Sequence, residues 1–273
     1  MIKFFTRSFN IELFEKSSAL LREAGYPVVR LTDKSADGYF YSMLSDEECD
    51  IAVNIDEDCF VTDLRAVLEL ARAVEAGGYA NAGCPDCGSG CPRAMNPIVT
   101  NPFFNILNLR LIRTRFSPEA VAAFRYQEHK KAMMERFPKE MLTGKYNFDY
   151  DSYEPYYQFF LWLASEFDTL YLPSKRHADG TTTMLYDQSG RLLCEHTWFA
   201  RFYTMPTFLV RLADKTSRQQ RQRIDNVIGE VYRMRRLQVP KVSKLRIVAD
   251  RTLRWSIKIP QRLARRVRRL LGK

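Results

Sequence analysis

Three adjacent acidic residues, Asp56, Glu57 and Asp58, follow a short apolar run at residues 51–55. The run is typical of a buried strand, so the chain passes directly from a strand into concentrated negative charge. Neighbouring carboxylates repel one another, and burying them without partners is costly. A bound cation would remove that cost. Carboxylate oxygens presented from alternate positions suit Mg²⁺ or Mn²⁺ rather than zinc, and such an ion usually binds phosphates as well.

The sequence here resembles the GT-A family of nucleotide-sugar glycosyltransferases, in which an Asp-x-Asp motif follows an apolar strand. The motif stands as Ile55-Asp56-Glu57-Asp58. The resemblance implies an α/β fold with a central mixed, mostly parallel, Rossmann-like sheet flanked by helices, and a C-terminal helical extension. It also implies metal-dependent, hexosyltransferase-like transfer of a sugar from a nucleotide-diphosphate donor to a glycan or lipid-linked acceptor. The specific stretches are residues 49–63, 103–108 and 194–198.

The same resemblance implies roles for residues elsewhere in the chain. Asp56 and Asp58 would bind Mn²⁺ or Mg²⁺, and a late histidine, His196, would complete the site. The expected donor ligands lie in the loop after the first strand, in the motif and in a later strand, where two asparagines are predicted to point the same way: Thr6, Arg7, Asp56, Asn105 and Asn108. An inverting enzyme also needs a carboxylate base, whereas a retaining enzyme does not. The candidate acids are Glu154, then Asp86, and Asp179.

Other interpretations of these residues stay open. An Asp after a strand can simply cap the next helix. Phosphatases with an aspartate nucleophile also use Asp-x-Asp, but the position two residues after Asp58 is Phe60, and the strand comes late. An EF-hand loop fails because Phe60 occupies a ligand position and no Gly follows. His196 beside Trp198 can be a packed residue, and His129 and His177 are expected on a surface helix and a surface loop.

A cysteine-rich segment contains Cys84, Cys87 and Cys91, in the pattern Cys-x-x-Cys followed by a third Cys. Three thiolates with a fourth ligand could close a structural zinc site, but only Cys194 or a distant His could supply that ligand. The other interpretation is a glycine-rich loop beside the donor, with Asp86 and Arg93 as its polar contacts. An iron–sulfur cluster also lacks its fourth ligand.

The hydrophobic pattern alternates between strands and helices, which favours a doubly wound sheet. Ligands in such sheets bind beyond the carboxyl ends of the strands, where the acidic triplet lies. The predicted strands are 2–6, 27–31, 51–55, 79–82, 103–112 and 170–173, with a hairpin at 183–187 and 191–195. The predicted helices are 11–24, 39–44, 64–76, 118–137, 154–167 and 217–237.

The formal net charge of +10 is unevenly distributed. Residues 231–273 contain 15 Lys and Arg and one acid, Asp250, whereas residues 1–230 contain 27 basic and 31 acidic groups. We therefore divide the chain into a GT-A-like catalytic domain at 1–237 and a basic amphipathic tail at 238–273. The tail pattern favours an anionic membrane surface as partner. With no apolar span or signal peptide apparent, we expect a cytoplasmic protein bound peripherally to the inner membrane face.

A second function remains open. A basic arm and a Cys-held zinc also describe a nucleic-acid-binding protein, which would bind DNA or RNA in a salt-sensitive way. The apolar residues interleaved with the basic ones make nucleic acid the less favoured partner. The sequence leaves the sugar, the base, the acceptor, the stereochemistry and the oligomeric state undetermined.

Overall fold

The central element of the fold is a six-stranded mixed sheet. The computed structural model describes residues 1–32, 38–86, 94–152, 154–203, 209 and 213–254. The strands of this sheet are β1 (Ile2–Arg7), β2 (Val28–Leu31), β3 (Ile51–Ile55), β5 (Asn81–Pro85), β6 (Thr100–Asn108) and β7 (Thr169–Tyr171). Their order is β2-β1-β3-β6-β5-β7, and β6 runs antiparallel to both of its neighbours. The other pairings are parallel, so five strands end at one edge.

Helices cover both faces of this sheet. They are α1 (Ile11–Arg22), α2 (Gly38–Leu44), α3 (Leu64–Ala76), α4 (Leu109–Ile112), α5 (Pro118–Ala123), α6 (Tyr126–Arg136), α7 (Tyr157–Glu166) and α8 (Lys215–Met234). Alternating residues of each strand enter two cores, as strand geometry requires. Ala52 of β3 packs with the aromatic residues of α2 and α7, whereas Val53 packs with α3. The predicted α/β class with a mostly parallel central sheet is therefore confirmed.

A second, antiparallel sheet begins directly after the acidic triplet. Its strands are β4 (Cys59–Val61), β8 (Ser174–Arg176), β9 (Thr183–Tyr186) and β10 (Leu192–His196), in the order β4-β10-β9-β8. The turn 56–58 connects β3 of the central sheet to β4, and the Cys59 N–H donates to the Asp56 carbonyl at 3.0 Å. The acidic residues therefore lie between the two sheets. The predicted hairpin is present as β9 and β10.

Three sequence predictions need correction. The strand predicted at 103–112 ends at Asn108, because the Asn108 side chain accepts from the Leu111 N–H and starts α4. The single helix predicted at 118–137 is two helices, since Phe124 and Arg125 have extended backbones. The short strand β4 was not predicted, because three buried residues give too little periodicity to detect.

The first part of the predicted tail packs on the body. Residues 244–254 are helical, and Ile247 is buried against Ile11 and Phe14 of α1. Asp250 in this helix pairs with Arg30, so its one acid is used in docking. Residues 255–273, which include the predicted amphipathic helix, lie outside the described part of the chain. Within the described residues, no helix has the length and apolar character needed to cross a bilayer.

Candidate functional site

The turn between the two sheets separates the acidic side chains into two groups. Glu57 points toward the loop after β1, where one of its oxygens accepts from the Ser8 hydroxyl at 2.7 Å, the Phe9 N–H at 3.0 Å and the Asn10 N–H at 2.7 Å. Asp56 and Asp58 instead belong to the group that approaches His196. Glu57 therefore fixes the loop beside the site, while Asp56 and Asp58 lie with His196.

His196 reaches the aspartates because β10 pairs with β4. In this register His196 lies opposite Cys59, and its Nε2 is 3.2 Å from Asp58 Oδ1. One ligand atom from each of Asp56, Asp58 and His196 lies within 4.8 Å of the others. The imidazole ring stacks on Phe103, with centroids 4.5 Å apart and an interplanar angle of 11°. The structure thus brings together the three residues predicted as metal ligands.

The electrostatics of the two aspartates differ. Burial raises the pKa of Asp56 to about 6, and Arg7 only partly opposes that rise. Burial also opposes ionisation of Asp58, but the attraction of the His196 ring and its hydrogen bond outweigh it and lower the pKa of Asp58. Among the described residues, Asp56 Oδ1 has no hydrogen-bond donor, and neither His196 Nδ1 nor Asp56 Oδ1 is exposed to water. Buried polar atoms without partners are rare in proteins, and an ion bound beside Asp56 would satisfy its oxygen.

The predicted donor residues on β1 lie beside this cluster. Arg7 Nε is 4.0 Å from Asp56 Oδ1, and the guanidinium lies over the rings of Phe9 and Tyr39 at 5.6 and 5.2 Å. Thr6 is fully buried, and its hydroxyl oxygen has no partner among the described residues. Arg7 is thus held at the edge of the sheet, where its positive charge faces the site.

The two predicted asparagines do not lie together. Asn105 is paired with Asn54 near the site edge, and its amide donates to Thr100 at 2.9 Å inside the sheet. Asn108 is paired with Ile51, so it lies three residues, or about 10 Å, further from that edge. Residues three apart on a strand also point to opposite faces. Asn108 caps α4 and lies away from the cluster, which corrects the expectation that both side chains point into one site.

A second acidic centre lies at the end of β5. Asp86 is buried, and its oxygens accept from the hydroxyl of Tyr157 at 2.7 Å, the hydroxyl of Tyr156 at 3.3 Å and the Asn101 amide. Burial raises the pKa of Asp86 to about 7 despite these donors. Glu154 is half-buried just before α7, close enough to raise the pKa of Asp86 further. Strand β6 alone separates this centre from Asp56, which places the two about 10 Å apart across the sheet.

Asp179 lies in the connection between β8 and β9. Its oxygens accept from the Thr181 and Thr182 N–H groups, the Thr182 hydroxyl and Arg223. Although burial opposes it, this set of donors lowers the pKa of Asp179. A carboxylate bound by so many donors is a poor proton acceptor, so the geometry gives Asp179 a positioning role.

Sequence reasoning missed the residues that fix His196 in place. Arg223 of α8 donates to the Thr197 carbonyl at 2.6 Å and the Trp198 carbonyl at 3.4 Å. Trp198 and Phe199 have positive φ values of 58° and 63°, a conformation that costs energy for large side chains. Such strain is concentrated at functional sites. In the sequence, only the aromatic residues Trp198 and Phe199 after His196 indicated this arrangement, because Arg223 is distant along the chain.

The cysteine segment is only partly described. Cys84 is buried in β5, where its thiol donates to the Pro85 carbonyl at 3.4 Å, and Cys194 is buried in β10. Cys87 and Cys91, together with Arg93, lie outside the described residues. The zinc alternative therefore stays a prediction.

Comparisons with known proteins give no family. No family model matches the chain, and no curated protein matches it. One similar solved structure is A197 from STIV, with 10% sequence identity, coverage of 70% of this chain and 92% of that chain, and a TM-score of 0.34. Another is a glycosyltransferase involved in the glycosylation of the major capsid of PBCV-1, with 13% sequence identity, coverage of 54% of this chain and 80% of that chain, and a TM-score of 0.30. Likeness at this level carries no functional argument, so the function must be argued from the site.

Proposed function

We propose that this chain is a metal-dependent glycosyltransferase that uses a nucleotide-diphosphate sugar as donor. One observation carries the proposal: Asp56, Asp58 and His196 converge at the sheet edge, with a buried Asp56 oxygen that has no donor among the described residues. Ligands in α/β sheets bind outside the carboxyl ends of the strands. Two carboxylates and one imidazole suit Mn²⁺, and Mg²⁺ is the alternative ion.

The residues around the cluster fit a diphosphate. The bound ion would supply positive charge where the leaving diphosphate becomes more negative. Arg7 holds a second, fixed positive charge beside Asp56, and the rings of Phe9 and Tyr39 keep it in place. The Thr6 hydroxyl lies at the same strand end. The Asn105 amide is used inside the sheet, so we assign it to support of the site and not to direct sugar contact.

Glu154 is our candidate for the base that accepts the proton of the acceptor hydroxyl. It borders an open depression with Asp151, Ser152 and Gln158, so an acceptor could reach it. Asp86 is closer to the core, and three donors occupy its oxygens. We therefore assign Asp86 to positioning Tyr156 and Tyr157 at the start of α7. A retaining mechanism, which needs no such base, is the alternative.

We further propose that the acceptor is a glycan or lipid-linked molecule at the cytoplasmic face of an anionic membrane. The support is the basic composition of residues 231–273 and three exposed apolar residues of the docked helix, Leu245, Val248 and Leu253. Leu245 is 81% exposed, although large apolar residues normally avoid water when they can be buried. Basic residues near an anionic surface contribute about 1 kcal/mol each.

The experiment is calorimetric titration of the full chain with UDP and with GDP, with and without Mn²⁺, and with Mg²⁺ in parallel. We expect binding of the order of micromolar that requires the metal and is lost in Asp58→Ala. The matched control is Asp168→Asn, which changes an exposed aspartate directly before the amino end of β7. This variant should bind nucleotide as the unaltered chain does.

The opposite result would favour the alternative function. If neither nucleotide binds under any metal condition, the chain is better explained as a nucleic-acid-binding protein with a Cys-held zinc and a basic C-terminal arm. Salt-sensitive binding of DNA or RNA, lost on removal of residues 255–273, would then support that alternative.

A further inference from the structure

The back of β10 contains a buried carboxylate that the proposed function does not use. Successive residues of a strand point to opposite faces, so Glu195 faces away from the Asp56–Asp58 pair that His196 approaches. Glu195 is only 2% exposed. Its Oε2 has no hydrogen-bond donor within the part of the chain that the structure describes. A buried carboxylate oxygen without a donor is costly, and a bound cation would remove that cost.

Two further metal-ligating side chains approach the Glu195 carboxylate from other elements. His177 comes from the connection between β8 and β9, and Glu230 comes from α8. One ligand atom from each of His177, Glu195 and Glu230 lies within 4.8 Å of the other two. His177 was expected on a surface loop, but its side chain is only 17% exposed. Three separate elements therefore place one nitrogen and two oxygen ligands around one point.

The spacing suits a small divalent cation. His177 Nε2 is 3.3 Å from Glu230 Oε2. Ligands about 2.1 Å from a tetrahedral zinc ion are about 3.4 Å from each other. That pair already has the required separation, and Glu230, with a side chain 43% exposed, is free to adjust as the ion enters. The third ligand atom, a carboxylate oxygen of Glu195, needs only a small movement to complete the ligand set.

Asp179 orients the His177 ring. Its backbone N–H donates to His177 Nδ1 at 3.1 Å, its Oδ1 is 3.5 Å from the same nitrogen, and Arg223 holds Asp179 in place. In this arrangement the proton of a neutral His177 ring lies on Nε2. An ion that binds Nε2 would displace this proton, and a proton on Nδ1 would then face the Asp179 carboxylate, as is typical of metal-bound histidines.

We propose that His177, Glu195 and Glu230 form a second divalent cation site, behind the nucleotide-sugar site. Its ligands, one imidazole nitrogen and two carboxylate oxygens, are of the same types as those of the first site, so Zn²⁺ can serve as a probe of both. The ion ties α8, the loop before β9 and β10 together. Because β10 also positions His196, this second site stabilises the framework of the first without contacting its ligand.

The test uses the full chain stripped of metal by a chelator and titrated with Zn²⁺ by calorimetry. We expect two bound ions in the unaltered chain, one in Glu195→Gln and one in Glu230→Gln, with at least about a tenfold loss of affinity for the lost ion. Glu135→Gln changes an exposed glutamate of α6 and is the matched control, which should bind two. Zn²⁺ should also raise the thermal midpoint of the unaltered chain by more than that of the two site variants, which keep only the first ion.

The first site is separated from the second by Asp58→Asn. This variant should keep one zinc ion, and adding Glu195→Gln to it should remove that ion. The proposal is overturned if Glu195→Gln and Glu230→Gln both bind as many ions as the unaltered chain. Glu230 is half-exposed, so its variant tests the site even if the change at buried Glu195 disturbs folding. Failure of UDP and GDP to bind would leave this result unaffected, because zinc binding is measured without nucleotide.

Discussion

Two carboxylates lie at the same edge of the central sheet in opposite surroundings, the half-buried Asp56 after β3 and the buried Asp86 after β5. Burial raises the pKa of both, to about 6 for Asp56 and about 7 for Asp86. Asp86 accepts hydrogen bonds from Tyr156, Tyr157 and Asn101. One oxygen of Asp56 has no donor among the described residues and lies beside the His196 cluster.

The difference shows that burial alone does not identify a ligand-binding acid. A carboxylate whose oxygens are occupied stabilises the fold, because its donors balance the lost hydration. A carboxylate whose oxygen is left bare costs stability, and proteins retain such groups chiefly where a ligand completes them. We therefore propose that Asp56 binds the ligand and that Asp86 supports the fold. Each assignment can be tested by replacing the aspartate with asparagine, which changes one oxygen to an amide nitrogen.

The largest expected effect separates the two aspartates by nucleotide binding. Asp56→Asn removes a charged metal ligand, so Mn²⁺-dependent binding of UDP or GDP should weaken by about 100-fold or more. Asp86→Asn should leave that affinity within about threefold, because Asp86 contacts protein donors and no proposed ligand. Calorimetry on the two variants measures both. An equal loss of nucleotide affinity in the two variants would contradict the assignment of ligand binding to Asp56 and of fold support to Asp86.

The next largest effect is expected on the reaction rate, when Glu154 near Asp86 is changed. Glu154→Gln should lower the rate of donor hydrolysis or transfer by about 100-fold, since a general base contributes roughly that factor. Nucleotide affinity should stay unchanged, because Glu154 interacts with Asp86 and does not belong to the metal cluster. The rate is measured as nucleotide released from the sugar donor. An unchanged rate with a competent acceptor would favour a retaining mechanism, in which no base is needed.

The contrast between these acids also shows what sequence reasoning can and cannot reach. The strand ending at Ile55 and its acidic turn are local features, so hydrophobic pattern and residue type located them. The partners of these acids are not local. Tyr157 is 71 residues from Asp86, and Arg223 is 44 residues from Asp179, which it fixes. Pairings over such separations depend on the tertiary fold, and no periodicity in the sequence encodes them.

Errors at the element boundaries have similar causes. Asn108 has the residue type of a sugar ligand, but the same side chain is also a good helix cap, and capping is what the structure shows. His177 was expected on a surface loop, whereas its side chain is only 17% exposed and contacts Glu230 of α8. In each case the residue type indicated a polar role, but the sequence did not show where the side chain lies in the folded structure.

A smaller effect is expected when Asp86 loses one donor. Tyr157→Phe removes the 2.7 Å hydrogen bond to a buried carboxylate, so the free energy of unfolding should fall by about 1–3 kcal/mol. Urea unfolding followed by circular dichroism measures the change. Tyr146→Phe, at a residue 45% exposed, is the matched control and should have little effect. Asp56→Asn should not lower stability, because it removes charge from an oxygen that lacks a donor; a loss as large as that of Tyr157→Phe would contradict the comparison.

The last expected effect is a change in the pH dependence of stability. Asp86 has a pKa of about 7 in the folded chain and an ordinary value near 3.8, so the folded state holds this proton more tightly than the unfolded state. Its contribution to stability is therefore complete below about pH 4 and is lost as the pH rises toward 7. Compared with Asp86→Asn, the unaltered chain should lose stability across this window with an extra slope of at most about 1.4 kcal/mol per pH unit. Urea unfolding of both chains at a series of pH values gives the difference. Parallel curves would mean that Asp86 stays ionised in the folded state, held by its three donors despite burial, and the two carboxylates would then differ in charge as well as in partners.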